Sequence, residues 1–570
     1  MQLLPEWLVH YRKAKLPGDL TAGVIVTVML IPQSLAYAML AGLPPEIGLY
    51  ASVLPLVVYA LIGSSMTLAV GPVAVASLMT ASALQPLAQP GTEQYMVLAA
   101  MLALLSGVML LAFGLLRLGF LANFLSHPVI SGFISGSAIL ITVSQLKHLF
   151  GLTTDATNVF QEIYQLIVQL PQSNQATTVL GMATLFFLLF SRCYLAGMLQ
   201  KSGLAHKAAS LLSRLAPMVA VIISIVAVAR WNLATEAGVK VVGEVPVGLP
   251  SFNLLVPNAS ALAALWLPAL LISLVGFVES VSVAQSLALK RQERIQPNRE
   301  LLGLGAANMA SALSGGYPVT GGFSRSVVNF AAGANTPLAG MISAVLMAVV
   351  IASLTGLFYY LPQAVLSATI IVAVTALVDF ATLKAVWQYD RADAFSLVTT
   401  LAGVLLLGVE AGVLIGVALS LAVLVWRSSR PHIAIVGRVP GTEHFRNILR
   451  HKVDTLPNLL ALRVDESLFF ANASLVQSHI EVCVATHPNV DYVLLLCPAV
   501  NQIDSTALEA LTQLQISLSA KGIKFMLAEV KGPVMDRLHG TQLGQALEGL
   551  IFLSAHDAFT FVEEHNLNQK

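Results

Sequence analysis

Between Thr21 and Trp426 apolar segments follow one another with almost no polar relief, and nothing else in the chain constrains its fold as strongly. Of 570 residues, 56% are hydrophobic and only 10% are charged, too apolar a balance for a soluble protein and the balance of a polytopic membrane protein. A straight span needs about 20 residues and a broken one fewer. Ordinary spans are expected at 97–116, 217–228, 338–357 and 394–407, within about fourteen segments in all when short ones are allowed. The net charge of +1 gives no electrostatic case for nucleic acid. Cys193, Cys483 and Cys497 have no CxxC spacing and no obvious His partner at metal-ligand spacing, so they read as reduced structural thiols, with no metal and no cofactor expected.

One stretch breaks the apolar pattern in an informative way. Residues 310–335, ASALSGGYPVTGGFSRSVVNFAAGAN, place Gly315, Gly316, Pro318, Gly321 and Gly322 in succession and restart a helical pattern at Phe323. Lipid offers no partners to free N–H and C=O groups, so irregular backbone at membrane depth survives only where protein buries it or a polar cavity adjoins it. A helix beginning there aims its unpaired N–H groups and the positive end of its dipole at that cavity, which suits an anion. An echo lies in the first half, SSMTLAVGPVAVASLMTASAL, where Gly71 and Pro72 precede a short small-residue helix. Two interrupted segments in corresponding halves point to a binding site between inverted repeats.

Loop charge sets the expected orientation. With Arg12, Lys13 and Lys15 inside, the loops carrying Arg117, Arg192, Lys201, Lys207, Arg214, Lys290, Arg291, Arg294, Arg299, Lys384 and Arg391 also fall inside. Alternate loops carry few cations, and Arg427 and Arg430 place the end of the last span in the cytoplasm. The N-terminal stretch is amphipathic and basic and lacks the short apolar core of a secretory leader, so it is expected to remain on the cytoplasmic side.

After Pro431 the composition becomes that of a soluble domain. Short β-rich runs (459–464, 492–496, 524–527) alternate with helical patterns (473–485, 505–520, 534–538), which predicts a small α/β domain with a mostly parallel sheet. The expected boundaries are therefore 1–430 for the membrane domain and 431–570 for the cytoplasmic one. No GxxxxGK[ST] occurs, so ATP-driven pumping has no motif.

Several stretches together resemble the SulP family of sulfate permeases and related anion transporters, over nearly the whole chain. They are IPQSLAYAMLAGLPPEIGLYAS (31–52), VGPVAV, GFVESVSVA (276–284) and GGYPVTGGFSRSVVN, followed by DESLFFANA (465–473) and AVNQIDSTALEAL (499–511), which resemble a STAS domain. Ile47, where many members carry an aromatic residue, is a departure that alters little. The resemblance implies an α-helical membrane protein of seven plus seven inverted-repeat spans, divided into core and gate, carrying a small cytoplasmic STAS-like α/β domain. It also implies substrate between the third and tenth segments, movement of core against gate, and a homodimer.

The candidate residues each carry an alternative. Phe323, Ser324 and Arg325 begin the second half-helix, and a cation there would attract an anion, unless Arg325 points away to a carboxylate or to carbonyls. Val73 and Ala74 supply the facing helix start, where small residues also serve close packing. Gln33 offers an uncharged amide donor, or else braces the break at Pro32. Glu279 is the one acid in an apolar run of the second half. Desolvation disfavours its charged form, so it could carry a proton with the anion, or pair with Arg325 instead. Members thought to couple to sodium have a threonine four places after this acid; Val283 offers no oxygen there, which favours the proton. Ser505 and Thr506 fall where STAS domains of anti-sigma factor antagonists carry a phosphorylatable hydroxyl, Thr506 foremost, and the alternative is that Asp504 or Ser505 only caps the helix.

These readings predict secondary active transport of an inorganic anion across an inner or plasma membrane, most simply sulfate:proton symport. Bicarbonate or a C4-dicarboxylate, with proton or sodium, is the alternative cargo, and an anion-sensing scaffold signalling through the soluble domain is the alternative class. No nucleophile, base and oxyanion-hole set can be assembled, so no enzyme is expected.

Overall fold

The computed structural model describes residues 5–123, 126–154, 156, 158–206, 209, 212–213, 215–248 and 259–568. Two compact units, 1–420 and 421–570, divide the chain, and the cut falls inside the helix Val409–Ser429. Among the described residues, eight helices are long and apolar enough to span a membrane, and Ala74–Leu84, Ala216–Arg230 and Leu338–Ser353 are shorter apolar ones. Three more, Pro297–Leu313, Phe323–Ala331 and Arg391–Leu407, complete the fourteen segments expected from the sequence. The expected span 338–357 ends early as a helix, because the chain turns into a 3-10 segment at Thr355–Phe358.

The segments pack as two sets, each drawn from both halves of the chain. One set holds Leu16–Leu40, Leu54–Ile62, Ala74–Leu84 and Glu93–Leu115 together with Ala259–Leu289, Pro297–Leu313, Phe323–Ala331 and Leu338–Ser353. The other holds His127–Phe150, Gln175–Phe190, Ala216–Arg230, Gln363–Thr375 and Arg391–Leu407, against which Gly412 and Gly416 of Val409–Ser429 pack. Glycine permits the closest approach in the first set. A Cβ on Gly107 would lie 2.8 Å from the Met309 amide nitrogen, and one on Gly305 would lie 2.8 Å from that of Leu111. Small residues thus let the backbones of Glu93–Leu115 and Pro297–Leu313 touch, the usual substitute for a hydrophobic drive between helices in lipid.

The IPQSLAYAMLAGLPPEIGLYAS stretch is a second close contact of this kind. A side chain on Gly48 would overlap the Ser34 carbonyl, and the Ser34 and Ser52 hydroxyls hydrogen-bond at 2.7 Å. The short helix Pro45–Tyr50 therefore packs back onto Leu16–Leu40 beside Pro32, which interrupts that helix's hydrogen-bond ladder without ending it.

Residues 421–570 fold around a six-stranded sheet in the order Phe445–Asn447, Ile433–Arg438, Leu459–Val464, Tyr492–Leu496, Lys524–Ala528, Ile551–Phe552. The last four are parallel and the first two pair antiparallel, as the strand and helix alternation predicted for the main body. Tyr492–Leu496 is buried along its whole length, with Val493 and Leu495 in one core and Tyr492, Leu494 and Leu496 in the other. Burial on both faces explains why this strand reads as a continuous apolar run rather than an alternating one.

Candidate functional site

Both glycine-rich interruptions are breaks between an extended segment and a short helix. In the first half, Val70–Gly71 leads through Pro72 to the helix Ala74–Leu84, with Val73 extended at its N-cap (φ −135°, ψ 143°). In the second, Thr320–Gly321 leads to Phe323–Ala331, with Gly322 at the N-cap. The extended parts pair antiparallel, Val70 with Gly321 and Gly71 with Thr320, so the two halves of the chain cross here. Neither helix has a side-chain cap. The amides of Ala74, Val75 and Ala76, and of Phe323, Ser324 and Arg325, have no acceptor among the described residues, because the first turn of a helix supplies none.

The rest of the irregular backbone is satisfied by polar side chains set into apolar helices. Asn308 accepts from the Val319 amide at 2.9 Å and donates to the Val319 carbonyl at 2.9 Å. The Ser280 hydroxyl accepts from the Gly321 amide at 2.8 Å and donates to Gly276 O at 2.6 Å. From the second half-helix, Ser326 Oγ accepts the Ala69 amide at 2.9 Å and Asn329 Nδ2 donates to Thr67 O at 3.0 Å. Tyr317 is fully buried, with its hydroxyl 3.0 Å from Ser77 Oγ and its carbonyl accepting from Ser311 at 2.7 Å. Each pairing removes a cost of about 1–3 kcal/mol for an unsatisfied buried group. The N-terminal amides of the two half-helices are thus left free where their neighbours are not.

A cavity of about 40 Å³ lies at these two helix starts, against the ~10–15 Å³ that one water centre occupies. It is lined by Gln33, Val73, Ala74, Glu279, Phe323, Ser324 and Arg325, together with Tyr37, Pro72, Gly322 and Ala373, Val374 and Leu377. Every substrate and coupling residue singled out from the sequence reaches this one space. Arg325 is 2% exposed, and its Nη1 and Nη2 are buried without a hydrogen-bond partner. No carboxylate of the described residues lies within ion-pair distance, so the pairing with Glu279 that the sequence left open does not form. The Gln33 side-chain amide has no hydrogen-bond partner among the described residues and lines the cavity, so it does not brace the break at Pro32.

Glycine makes room for the guanidinium. A Cβ on Gly71 would stand 3.2 Å from Arg325 Nη1, and one on Gly322 would stand 2.9 Å from Nη2. The sequence reading missed Tyr37 and the wall formed by Ala373, Val374 and Leu377. Tyr37 lies four residues after Gln33, one helical turn on, and that spacing was a usable signal. The wall comes from a different set of helices, and no local pattern announces it.

In the soluble unit Asp504 caps the helix Ser505–Ala520 by accepting from the Ala507 amide at 2.8 Å, and it also accepts from the Phe470 amide at 2.8 Å. Ser505 and Thr506 occupy the first helical turn with exposed side chains, so capping falls to Asp504 and makes no use of their hydroxyls.

Comparison with known proteins follows this geometry closely. The sequence profile of the sulfate permease family matches residues 16–400, and that of the STAS domain matches residues 451–558. Sulfate transporter 4.1, chloroplastic, of Arabidopsis thaliana is 36% identical over 99% of this chain and 83% of its own length. Probable sulfate transporter MT1781 of Mycobacterium tuberculosis is 35% identical over 94% of this chain and 93% of its own. The solved structure of SLC26A9 superposes with a TM-score of 0.89 at 22% identity, covering 100% of this chain and 94% of that one, and so shares the fold. The transmembrane domain of the cyanobacterial bicarbonate transporter BicA does so with a TM-score of 0.60 at 24% identity, over 72% of this chain and 98% of that one. With two half-helices meeting in its membrane domain, a STAS domain following in sequence and relatives matched over nearly its full length, this chain belongs to the sulfate permease family of anion transporters, and it is not an enzyme.

Proposed function

We propose that the protein is a secondary active transporter of sulfate, coupled to protons, and that the cavity at the two half-helix starts is its substrate site. The observation that carries this reading is the Arg325 guanidinium, buried with two unpartnered nitrogens beside two sets of free helix N-terminal amides. An uncompensated buried charge costs several kcal/mol, and a bound anion removes that cost while gaining charge-assisted hydrogen bonds. Gln33 and Ser324 add neutral donors, and Tyr37 and Phe323 bound the space. Sulfate is favoured as cargo because relatives at 35–36% identity over nearly the whole chain carry the name sulfate transporter.

Glu279 lines the same cavity and is the proton carrier in this reading. Neutral Glu279 lets the site hold an anion without a second negative charge beside it, so proton and sulfate bind together. Val283, one turn later, supplies no oxygen for a sodium ion. The loop cations support a cytoplasmic position for both termini and for residues 431–570, and the family resemblance supports a homodimer as the working unit. Exposed Ser505 and Thr506 at a helix N-terminus suit phosphorylation, which would add charge where the dipole favours it.

Labelled sulfate uptake into proteoliposomes tests the reading. An inward proton gradient should drive accumulation and a sodium gradient should not, and Glu279→Gln should abolish the dependence on the proton gradient. Accumulation driven by sodium alone, or a Glu279→Gln protein with full pH dependence, contradicts proton coupling. Competition by bicarbonate or fumarate at concentrations equal to sulfate contradicts the choice of cargo.

A further inference from the structure

Two acids far from the cavity in sequence hold the outer ends of the segments that cross at it. Glu300 and Asp19 are each 0% exposed, and each sits in the first turn of a helix, Pro297–Leu313 and Leu16–Leu40. Neither has an ion-pair partner among the described residues. Glu300 instead accepts four hydrogen bonds: from Tyr59 Oη at 2.7 Å, the Ser64 amide at 2.8 Å, Ser64 Oγ at 2.6 Å and the Ser65 amide at 2.9 Å. Beside it Arg299 donates to Ile62 O at 2.9 Å. This turn therefore grips the chain where it leaves the helix Leu54–Ile62 and begins its extended run towards Val70–Gly71.

Asp19 does the same at the far end of the second half-helix. It accepts from the Asn335 amide at 2.6 Å, the Thr336 amide at 2.9 Å, Thr336 Oγ1 at 2.7 Å and Tyr11 Oη at 3.2 Å. Residues 335 and 336 follow Phe323–Ala331 after a turn through Gly333 (φ +97°). Between these anchors, the run from Ser65 to Gly71 is pinned to the second half by Asn329 on Thr67, Ser326 on Ala69 and the strand pairing itself. The crossing is thus held at its centre by the paired strands and at its two outer ends by one carboxylate each.

We infer that Asp19 and Glu300 are positioning residues for anion binding: the reach of each carboxylate fixes where its half-helix start stands, and so how well the free amides and Arg325 converge on one ion. Packing alone gives no reason for two cation-free buried acids on the two chain segments that meet at the site. A carboxylate accepting from two successive backbone amides fixes both the place and the direction of a chain, which an apolar contact does not. This inference rests on the cavity being the anion site.

The test changes reach while keeping charge. Glu300→Asp and Asp19→Glu shift the carboxylate by one methylene, whereas Glu300→Gln and Asp19→Asn keep its length and an acceptor oxygen. Initial rates of labelled sulfate uptake in proteoliposomes are measured against concentration and normalised to monodisperse protein, with Arg325→Gln alongside. The reach variants should raise KM about fivefold to tenfold with kcat within about twofold, and the length-keeping variants should stay within about threefold in KM. Should a reach variant fail to fold, Ser64→Ala and Thr336→Val each remove one donor and should raise KM about twofold at unchanged kcat. An unchanged KM with only less folded protein or a lower melting temperature overturns the inference while Arg325→Gln raises KM. If Arg325→Gln also leaves KM unchanged, the anion-site reading beneath it fails as well.

Discussion

Replacing Arg325 with glutamine should weaken sulfate binding and, in the absence of sulfate, should not destabilise the protein. The two halves of this expectation come from the same atoms. Nη1 and Nη2 are buried and have no hydrogen-bond partner among the described residues, and each unsatisfied buried polar group costs about 1–3 kcal/mol. Glutamine removes the charge and most of that penalty. With an anion present, the guanidinium would make one or two charge-assisted hydrogen bonds of about 1.5–3 kcal/mol each, and direct attraction at ~4 Å and an effective dielectric of ~20 is about 4 kcal/mol before desolvation. A net loss of about 2–4 kcal/mol follows, which is roughly 30-fold to 1,000-fold in affinity. The free amides of both helices remain, so binding is weakened rather than abolished. Concentration-dependent uptake gives KM, and thermal unfolding with and without sulfate gives the linkage. At 100 times the wild-type Kd, wild-type protein should gain about 2.7 kcal/mol from the ligand, and the variant at the same concentration should gain less than about 1 kcal/mol. A KM within twofold of wild type, or an equal loss of stability with and without sulfate, would show that Arg325 is a structural residue.

Gly71→Val should crowd the guanidinium, since even a Cβ stands 3.2 Å from Nη1; overpacking of about 1–3 kcal/mol and a raised sulfate KM are expected, and unchanged kinetics would place Arg325 elsewhere. Asp504→Ala removes both the cap on Ala507 and the bond to Phe470, so the unit 421–570 expressed alone should lose about 1–2 kcal/mol in urea unfolding, against no measurable change if the cap is idle. Asp465 titrates in that same unit: burial works to raise its carboxyl, but hydrogen bonds from Arg463 (2.6 Å) and His432 (2.8 Å) outweigh it and hold the group below the ordinary range. A depressed folded value contributes stability above the unfolded value of about 3.9 and loses it as pH falls through the folded one. Asp465→Asn should therefore lower the urea midpoint at pH 7, with the gap narrowing only as pH falls below about 3.9, and a gap as wide at pH 2 as at pH 7 would refute the assignment.

Local chemistry made much of the molecule legible. Phe323 was readable as a helix start because Gly321 and Gly322 cannot continue one, and the structure begins a helix there. The strands Leu459–Val464 and Tyr492–Leu496 were readable because burial on both faces leaves an unbroken apolar run. What stayed hidden was non-local. Ile433–Arg438 and Phe445–Asn447 form the antiparallel end of the sheet; the first begins only four residues after the apolar helix Val409–Ser429, which hides its start, and the second is only three residues long. Asn308 and Ser280 sit in apolar helices where a lone polar residue has several uses, and only the register of the crossing shows that they hold Val319 and Gly321. Asp19 and Glu300 read as ordinary acids of a first helical turn, which they also are, and their grip on residues 335–336 and 64–65 spans 316 and 236 positions.

The central claim is that an oxyanion sits between the two half-helix starts against Arg325. Crystals of the protein soaked with selenate, which has the shape and charge of sulfate and scatters anomalously, test it by an anomalous difference map. One peak is expected within hydrogen-bonding distance of Arg325 and of the amides of Ala74 to Ala76 and Phe323 to Arg325. A peak elsewhere in the membrane domain, with this cavity empty at saturating selenate, would contradict the account.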